Sequence, residues 1–250
     1  MIKKYFFFLL IGLSACKNEN YSTSEISAER IPINATIKAD TAIQNFIKPY
    51  ADYLNKTLDS VVAYNPQNLD KNDGELNTAL GNLFADIVME QANPIFKSRT
   101  GNDIDIVLLN HGGIRSAIGK GPVTARTAYS IMPFENEVVV AEITGEKIME
   151  MLSYLSNNRT AHPLSGINIQ VDKNYNVTSA TIGGEEIDPK ETYFVATSDY
   201  LQQGGDNMNF FNAPVNLYRV DYKIRNAIID YFHKTDTIEA ARDDRYIQIK

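Results

Sequence analysis

The sequence predicts an α+β fold, a single domain of mixed β-sheets with flanking helices. Three observations point there. Runs rich in β-branched residues crowd the second half of the chain instead of alternating with helices, which disfavours a doubly wound parallel sheet. The helical stretches each carry one apolar face against polar remainder, the pattern of a helix laid on other structure. The apolar run Ile104-Asp105-Ile106-Val107-Leu108-Leu109 reads as a buried strand and breaks off at Asn110-His111-Gly112-Gly113-Ile114-Arg115. No internal repeat is visible, and no second boundary follows residue 36.

The N-terminus reads as an address. Lys3-Lys4 precede an apolar stretch at 5–13 that is too short to span a bilayer, and Leu13-Ser14-Ala15-Cys16 resembles a bacterial lipobox. Cys16 is the only cysteine, as expected of a thiol consumed by lipid, and it excludes a disulfide framework within the chain. The alternative is an ordinary secretory signal with an incidental cysteine. The expectation is an exported protein, lipid-anchored at Cys16 in the bacterial cell envelope, on the periplasmic or surface face of the outer membrane. Residues 1–16 form the signal, polar residues 17–36 a flexible tether, and residues 37–250 the domain. The composition is globular, 44% hydrophobic and 22% charged. With a net charge of −7 and no dense Lys/Arg stretch, the chain lacks the basic footprint of a nucleic-acid binder.

In chain order, Asp40 is a helix N-cap for the periodic series Ile43, Phe46, Ile47, Tyr50, Leu54 and Leu58, with Pro49 inside. Residues 61–64 form a short strand. A polar loop with Asn72-Asp73-Gly74 follows. Leu80, Leu83, Phe84, Ile87 and Val88 mark the apolar face of a helix running toward Phe96, on which Asn82 and Asp86 share another face and can fix it to a neighbouring loop. Beyond the Asn110 turn come a short helix (124–132), a strand (138–143) and an amphipathic helix (145–155). Three strands follow at 167–171, 177–182 and 193–197, turning at Lys173-Asn174 and Gly183-Gly184. A dense polar turn (199–206), a strand (215–220), a helix (221–233) and a closing strand (246–249) complete the chain.

Three turns carry unusual chemistry: 110–115, 133–136 and 200–206. They offer two aromatic rings (Phe134, Tyr200), a guanidinium (Arg115), an amide (Asn110) and a carboxylate (Asp206). Gly112-Gly113 allows backbone angles or a close ligand approach that a Cβ would forbid. Rings stack a flat base, a carboxylate accepts ribose hydroxyls, and an arginine faces a phosphate. Spacing alone does not bring these turns together, and a plain solvated turn at 110–115 is the competing reading.

The order Gly81-Asn82-Leu83 with Asp86, Asn110 to Arg115, Pro133-Phe134 with Asn136, Ile143-Thr144-Gly145 and Gly204-Gly205-Asp206 resembles the C-terminal domain of the 5′-nucleotidase family, which includes ecto-5′-nucleotidases and periplasmic UDP-sugar hydrolases. The resemblance covers nearly all of the chain beyond the tether. It implies that Phe134 and Tyr200 sandwich a base, that Asn110 and Asp206 bind base or ribose, and that Arg115 meets the ribose-phosphate end, with Gly112, Gly113, Gly204 and Gly205 also among the substrate-binding residues. The ligand implied is a nucleoside or 5′-nucleotide. Three positions depart from the family: Asp73-Gly74-Glu75 stands where a further substrate arginine is common, Tyr200 replaces a frequent Phe, and Asn207-Met208 replace Gly and an aromatic.

Family catalysis resembles two-metal hydrolysis run by a separate N-terminal domain, which needs several His and Asp ligands. The three histidines, His111, His162 and His233, lie far apart without a D-x-H pattern, and no G-x-S-x-G elbow is present. No catalytic residue and no metal ligand is therefore expected here, and the divalent metal pair is expected on a partner metallophosphoesterase. Two functions remain open: the recognition half of a split 5′-nucleotidase acting in nucleotide catabolism and phosphate scavenging, or a non-catalytic nucleoside- or nucleotide-binding envelope lipoprotein.

Overall fold

The computed structural model describes residues 23–249, so Cys16 and its lipobox lie outside the described residues. The chain divides into two compact units, at residue 48. Helix α1 (Thr41–Leu58) begins in the first and ends in the second. It starts where the sequence places it, with Asp40 Oδ1 accepting from the Ala42 and Ile43 amides at 2.8 and 3.1 Å. In the second unit, Asn55 on its last turn and Asp59 just beyond its end both accept from the Arg126 guanidinium, at 2.7 and 2.5 Å.

The second unit continues with β1 (Val61–Asn65), α2 (Ala79–Thr100), β2 (Ile106–Leu108), β3 (Gly121–Thr124), α3 (Ala125–Ile131), β4 (Glu137–Thr144) and α4 (Gly145–Asn158). Then follow β5 (Leu164–Ser165), β6 (Ile167–Val171), β7 (Val177–Ile182), β8 (Glu185–Glu186), β9 (Thr192–Ser198), α5 (Asp199–Gln202), β10 (Asn216–Lys223), α6 (Ile224–Lys234) and β11 (Tyr246–Gln248). The fold is α+β as the sequence predicts, with sheets ordered β10-β4-β9-β2-β5, β11-β6-β7-β8 and β1-β3. Strands β3, β5 and β8 are too short for a periodicity signal.

The five-stranded sheet is covered on both faces. Side chains alternate across a strand, so Val107 of β2 joins Val138 and Val140 of β4 in one core with α2 and α6. Ile106 and Leu108 join Ala141 and Ile143 in a second core with α4, β6 and Phe210-Phe211. This double burial explains why β2 reads as an unbroken apolar run. Sequence and structure differ at the end of β10. Its ladder with β4 shifts register between Arg219 and Lys223 around Asp221, which has φ of +56°, and the strand resumes to Lys223. Helix α6 therefore starts at Ile224 rather than Asp221, because pairing with Glu137 holds the backbone extended.

Sheet topology decides where the polar turns go. Strands β2 and β9 are parallel neighbours, so their C-terminal ends, leading into 109–115 and 199–206, emerge at the same edge. Strand β4 is antiparallel to β9, with Val138 opposite Ser198, which brings the segment 133–136 before it to that edge as well.

Helix α2 shows why Asn82 and Asp86 sit where they do. Thr78 caps its start through the Gly81 amide, 2.9 Å away. The buried Asn82 amide donates to Asn77 Oδ1 and the Ala241 carbonyl, both at 3.1 Å, and to Asp243 at 3.3 Å. Arg245 bridges Asp86 (2.8 and 3.0 Å) and Asp243 and donates to the Leu164 carbonyl at 2.6 Å. These two residues pin the chain's last segment onto α2.

Candidate functional site

At the edge where the three turns meet lies a cleft of about 610 Å³, lined by Asn110, Gly112, Gly113, Arg115, Phe134, Glu135, Asn136, Asp199, Tyr200 and Asp206. Seven of the nine residues singled out in the sequence border it. Gly204 and Gly205 do not, and instead shape its wall. Gly204 takes a left-handed backbone, φ +87°, and a Cβ on Gly205 would stand 2.5 Å from the Tyr200 ring. Tyr200 lies on Gly205 with no room for a side chain between them.

The first turn is a single 3-10 turn, His111–Gly113, entered from Asn110. A Cβ at Gly113 would come 2.7 Å from Asn110 Oδ1, so the glycine lets the Asn110 side chain fold over the turn. Arg115 is anchored by its amide to the Ile131 carbonyl, 2.8 Å away. Its guanidinium donates to Gly112 O at 3.3 Å and stands 5.7 Å from the Phe134 ring centre. His111 turns toward the 71–72 loop, its Nε2 3.2 Å from both Lys71 O and Asn72 Oδ1. Burial and the neighbouring Lys71 ammonium hold its pKa below the usual histidine value. Lys71 in turn donates to the Ile114 carbonyl at 2.8 Å, a cation beneath the turn.

The second turn is held by a residue the sequence did not disclose. Arg225, buried in the first turn of α6, donates through Nη1 to the carbonyls of Pro133 (3.1 Å), Phe134 (3.2 Å) and Met132 (3.5 Å). It also pairs with Glu135 and lies 4.2 Å over the Tyr129 ring. Hydrogen bonds from Lys223 and Arg225 pull the Glu135 pKa down to about 2, so this cleft-lining carboxylate is ionised. A lone arginine at a helix start carries no sequence signal for such a role. Asn136, also on the cleft, gives its amide to Asp199 Oδ1 at 2.9 Å, and Asp199 takes the Glu137 amide at 3.2 Å.

The third turn presents Asp206 from a left-handed backbone, φ +52°. Its carboxylate accepts from Tyr200 Oη at 2.9 Å and from Asn110 Nδ2 at 2.7 Å, across 96 residues of sequence. The Tyr200 phenol is therefore tied to the site's carboxylate, and the Tyr200 pKa is raised by that hydrogen bond. Phe134 and Tyr200 remain nearly half exposed at 43% and 46%, two rings open to the cleft. The stretch 73–75 packs away from the cleft: Glu75 takes the Tyr175 hydroxyl and the Asp73 carbonyl takes Arg242.

The pattern of the family described as "5'-nucleotidase, C-terminal domain" matches residues 54–213, a span that contains every cleft-lining residue. The chain is 28% identical to a 5'-nucleotidase of Vibrio vulnificus over 189 residues, 72% of this chain and 32% of the relative. It is 31% identical to cell wall protein Lmo0130 of Listeria monocytogenes over 206 residues, 76% of this chain and 25% of the relative. It thus spans about a third or less of these relatives' lengths. The fold superposes on the 5'-nucleotidase precursor of Thermus thermophilus with a TM-score of 0.68 at 22% identity, covering 82% of this chain and 43% of that one. The chain belongs to the 5′-nucleotidase C-terminal domain family.

Proposed function

We propose that the cleft binds a nucleoside or 5′-nucleotide, and that the protein is the recognition half of a split 5′-nucleotidase whose hydrolysis is done by a separate metallophosphoesterase. The observation that carries this reading is the meeting of Phe134, Tyr200, Arg115, Asn110 and Asp206 on one cleft. A base stacked on the two rings gains about 1–3 kcal/mol. Each Asp206 oxygen, already accepting one hydrogen bond, keeps a second lone pair for a ribose hydroxyl. Arg115 offers a permanently charged donor fork to a phosphate. Among the described residues no group of three His, Cys, Asp or Glu side chains is placed to hold a metal, and the reading assigns no hydrolytic step to them. The same reading keeps Cys16 as the lipid anchor of an exported envelope protein, active in nucleotide catabolism and phosphate scavenging.

The test is a calorimetric titration of AMP and adenosine, with Phe134→Ala as control. Micromolar binding that Phe134→Ala abolishes supports the reading. Absence of heat with both ligands, alone and with an exported metallophosphoesterase added, refutes it for adenine compounds. One observation favours nucleoside capture without hydrolysis: Arg115 is the one arginine on the cleft wall. AMP binding no tighter than adenosine would move the assignment that way.

A further inference from the structure

His162 and Tyr154 lie behind the cleft and border none of it. His162 follows α4 in the loop 159–163 and is buried, 6% exposed. Its Nδ1 accepts the His111 amide at 3.2 Å, one of the donors that the start of a helical turn leaves without an internal partner. The next residue, Pro163, accepts the Leu109 amide at 2.9 Å. The backbone amides on both sides of Asn110 are thus held by one loop. Tyr154, on α4, sends its hydroxyl the other way, to the Asp206 carbonyl at 2.9 Å. The Tyr154 and His162 rings pack at 5.8 Å between centroids, and Tyr154 is backed by Phe210 at 5.6 Å.

We propose that Tyr154 and His162 are positioning residues that act as one strut, setting the separation of the Asn110 and Asp206 turns and hence the geometry offered to a ligand. Each side chain grips the backbone of one turn, and the two hydrogen bonds, backed by the ring contact, set the spacing. The left-handed Asp206 backbone needs such an external hold, because an L-residue there has no intrinsic preference for it. His162 acts only as a neutral acceptor, since an imidazolium has no lone pair for the His111 amide. Burial lowers its pKa to about 4, against the opposing pull of Asp206 and with a smaller contribution from His111, and so keeps the ring neutral. The proposal relies on the nucleotide reading only for its choice of probe ligand.

Three variants separate the strut from ordinary core packing. His162→Phe keeps a ring against Tyr154 and removes the acceptor. His162→Asn restores an acceptor oxygen near the place of Nδ1. Tyr154→Phe keeps the ring packing and removes only the bond to Asp206. Two readouts apply: adenosine affinity by calorimetry, and deuterium exchange of the ligand-free protein over residues 109–115. Loss of one hydrogen bond weakens adenosine about five- to tenfold in His162→Phe and in Tyr154→Phe, with His162→Asn within about twofold of the parent. Exchange over 109–115 rises in His162→Phe and returns toward the parent in His162→Asn. Parent-like exchange and affinity in His162→Phe, or an Asn variant no better than Phe, overturns the proposal. Should His162→Phe not fold, Tyr154→Phe decides alone, with unchanged adenosine affinity as the overturning result. If the parent binds neither adenosine nor AMP, the nucleotide reading falls while the exchange comparison still decides the strut.

Discussion

Replacing Arg225 with methionine isolates the device that shapes the Phe134 turn. Methionine roughly keeps the volume of the buried stem and removes the guanidinium. Three carbonyls then lose a charged donor. Those of Pro133 and Phe134 belong to exposed residues and regain water, whereas that of Met132 belongs to a buried residue. One orphaned buried acceptor costs about 1–3 kcal/mol. The lost charge-assisted bonds add to this, while relief from burying a guanidinium subtracts. The net expected loss is about 2–3 kcal/mol, or a fall in melting temperature of about 4–12 °C for a chain of this size. The Glu135 pair contributes little, because that carboxylate is 62% exposed and returns to water. Urea denaturation of Arg225→Met and Glu135→Gln checks this, with Glu135→Gln unfolding at the parent's midpoint. Adenosine affinity in Arg225→Met should fall about five- to tenfold as Phe134 loses its fixed backbone. A loss under about 0.5 kcal/mol with unchanged binding would refute the reasoning. It would assign the turn's shape to the Asn136–Asp199 bond instead.

Glycine positions give a second contrast. Gly205→Ala forces a Cβ to 2.5 Å from the Tyr200 ring and should cost about 1–3 kcal/mol and weaken adenosine, whereas Gly112→Ala, whose nearest neighbour would be 3.4 Å away, should leave the unfolding midpoint unchanged. Asn82→Ala removes two hydrogen bonds to the last segment and one to Asn77 and should cost about 1–3 kcal/mol, with adenosine affinity intact because Asn82 does not line the cleft; urea melts and calorimetry read both. Stability should also depend on pH through His162. Its folded pKa of about 4 lies below the ordinary 6.5, so the folded state excludes a proton that the unfolded chain accepts. The contribution is therefore complete above pH 6.5 and lost as pH falls toward 4, about 3 kcal/mol in all. His162→Asn should flatten that part of the stability profile in parallel urea melts at pH 7 and pH 4.5.

The sequence by itself determined much of the framework. Strand β2 was legible because burial on both faces demands an unbroken apolar run, and α2 and α4 because a helix facing one core shows its period locally. The Asn110 to Arg115 turn was legible because glycines and polar side chains at a strand end are local signals. Only the tertiary structure decided what these pieces do together. Parallel pairing of β2 with β9, and antiparallel pairing of β4, carries three turns from distant parts of the chain to one edge. Arg225, Asp199 and the Tyr154–His162 pair gained their roles from that convergence, through partners 51 to 93 residues away. His162 had no visible purpose in the sequence, where it merely precedes a proline. Propensity and periodicity act over a few residues, whereas a hydrogen bond to a distant carbonyl depends on where folding places it, and no spacing along the chain records that.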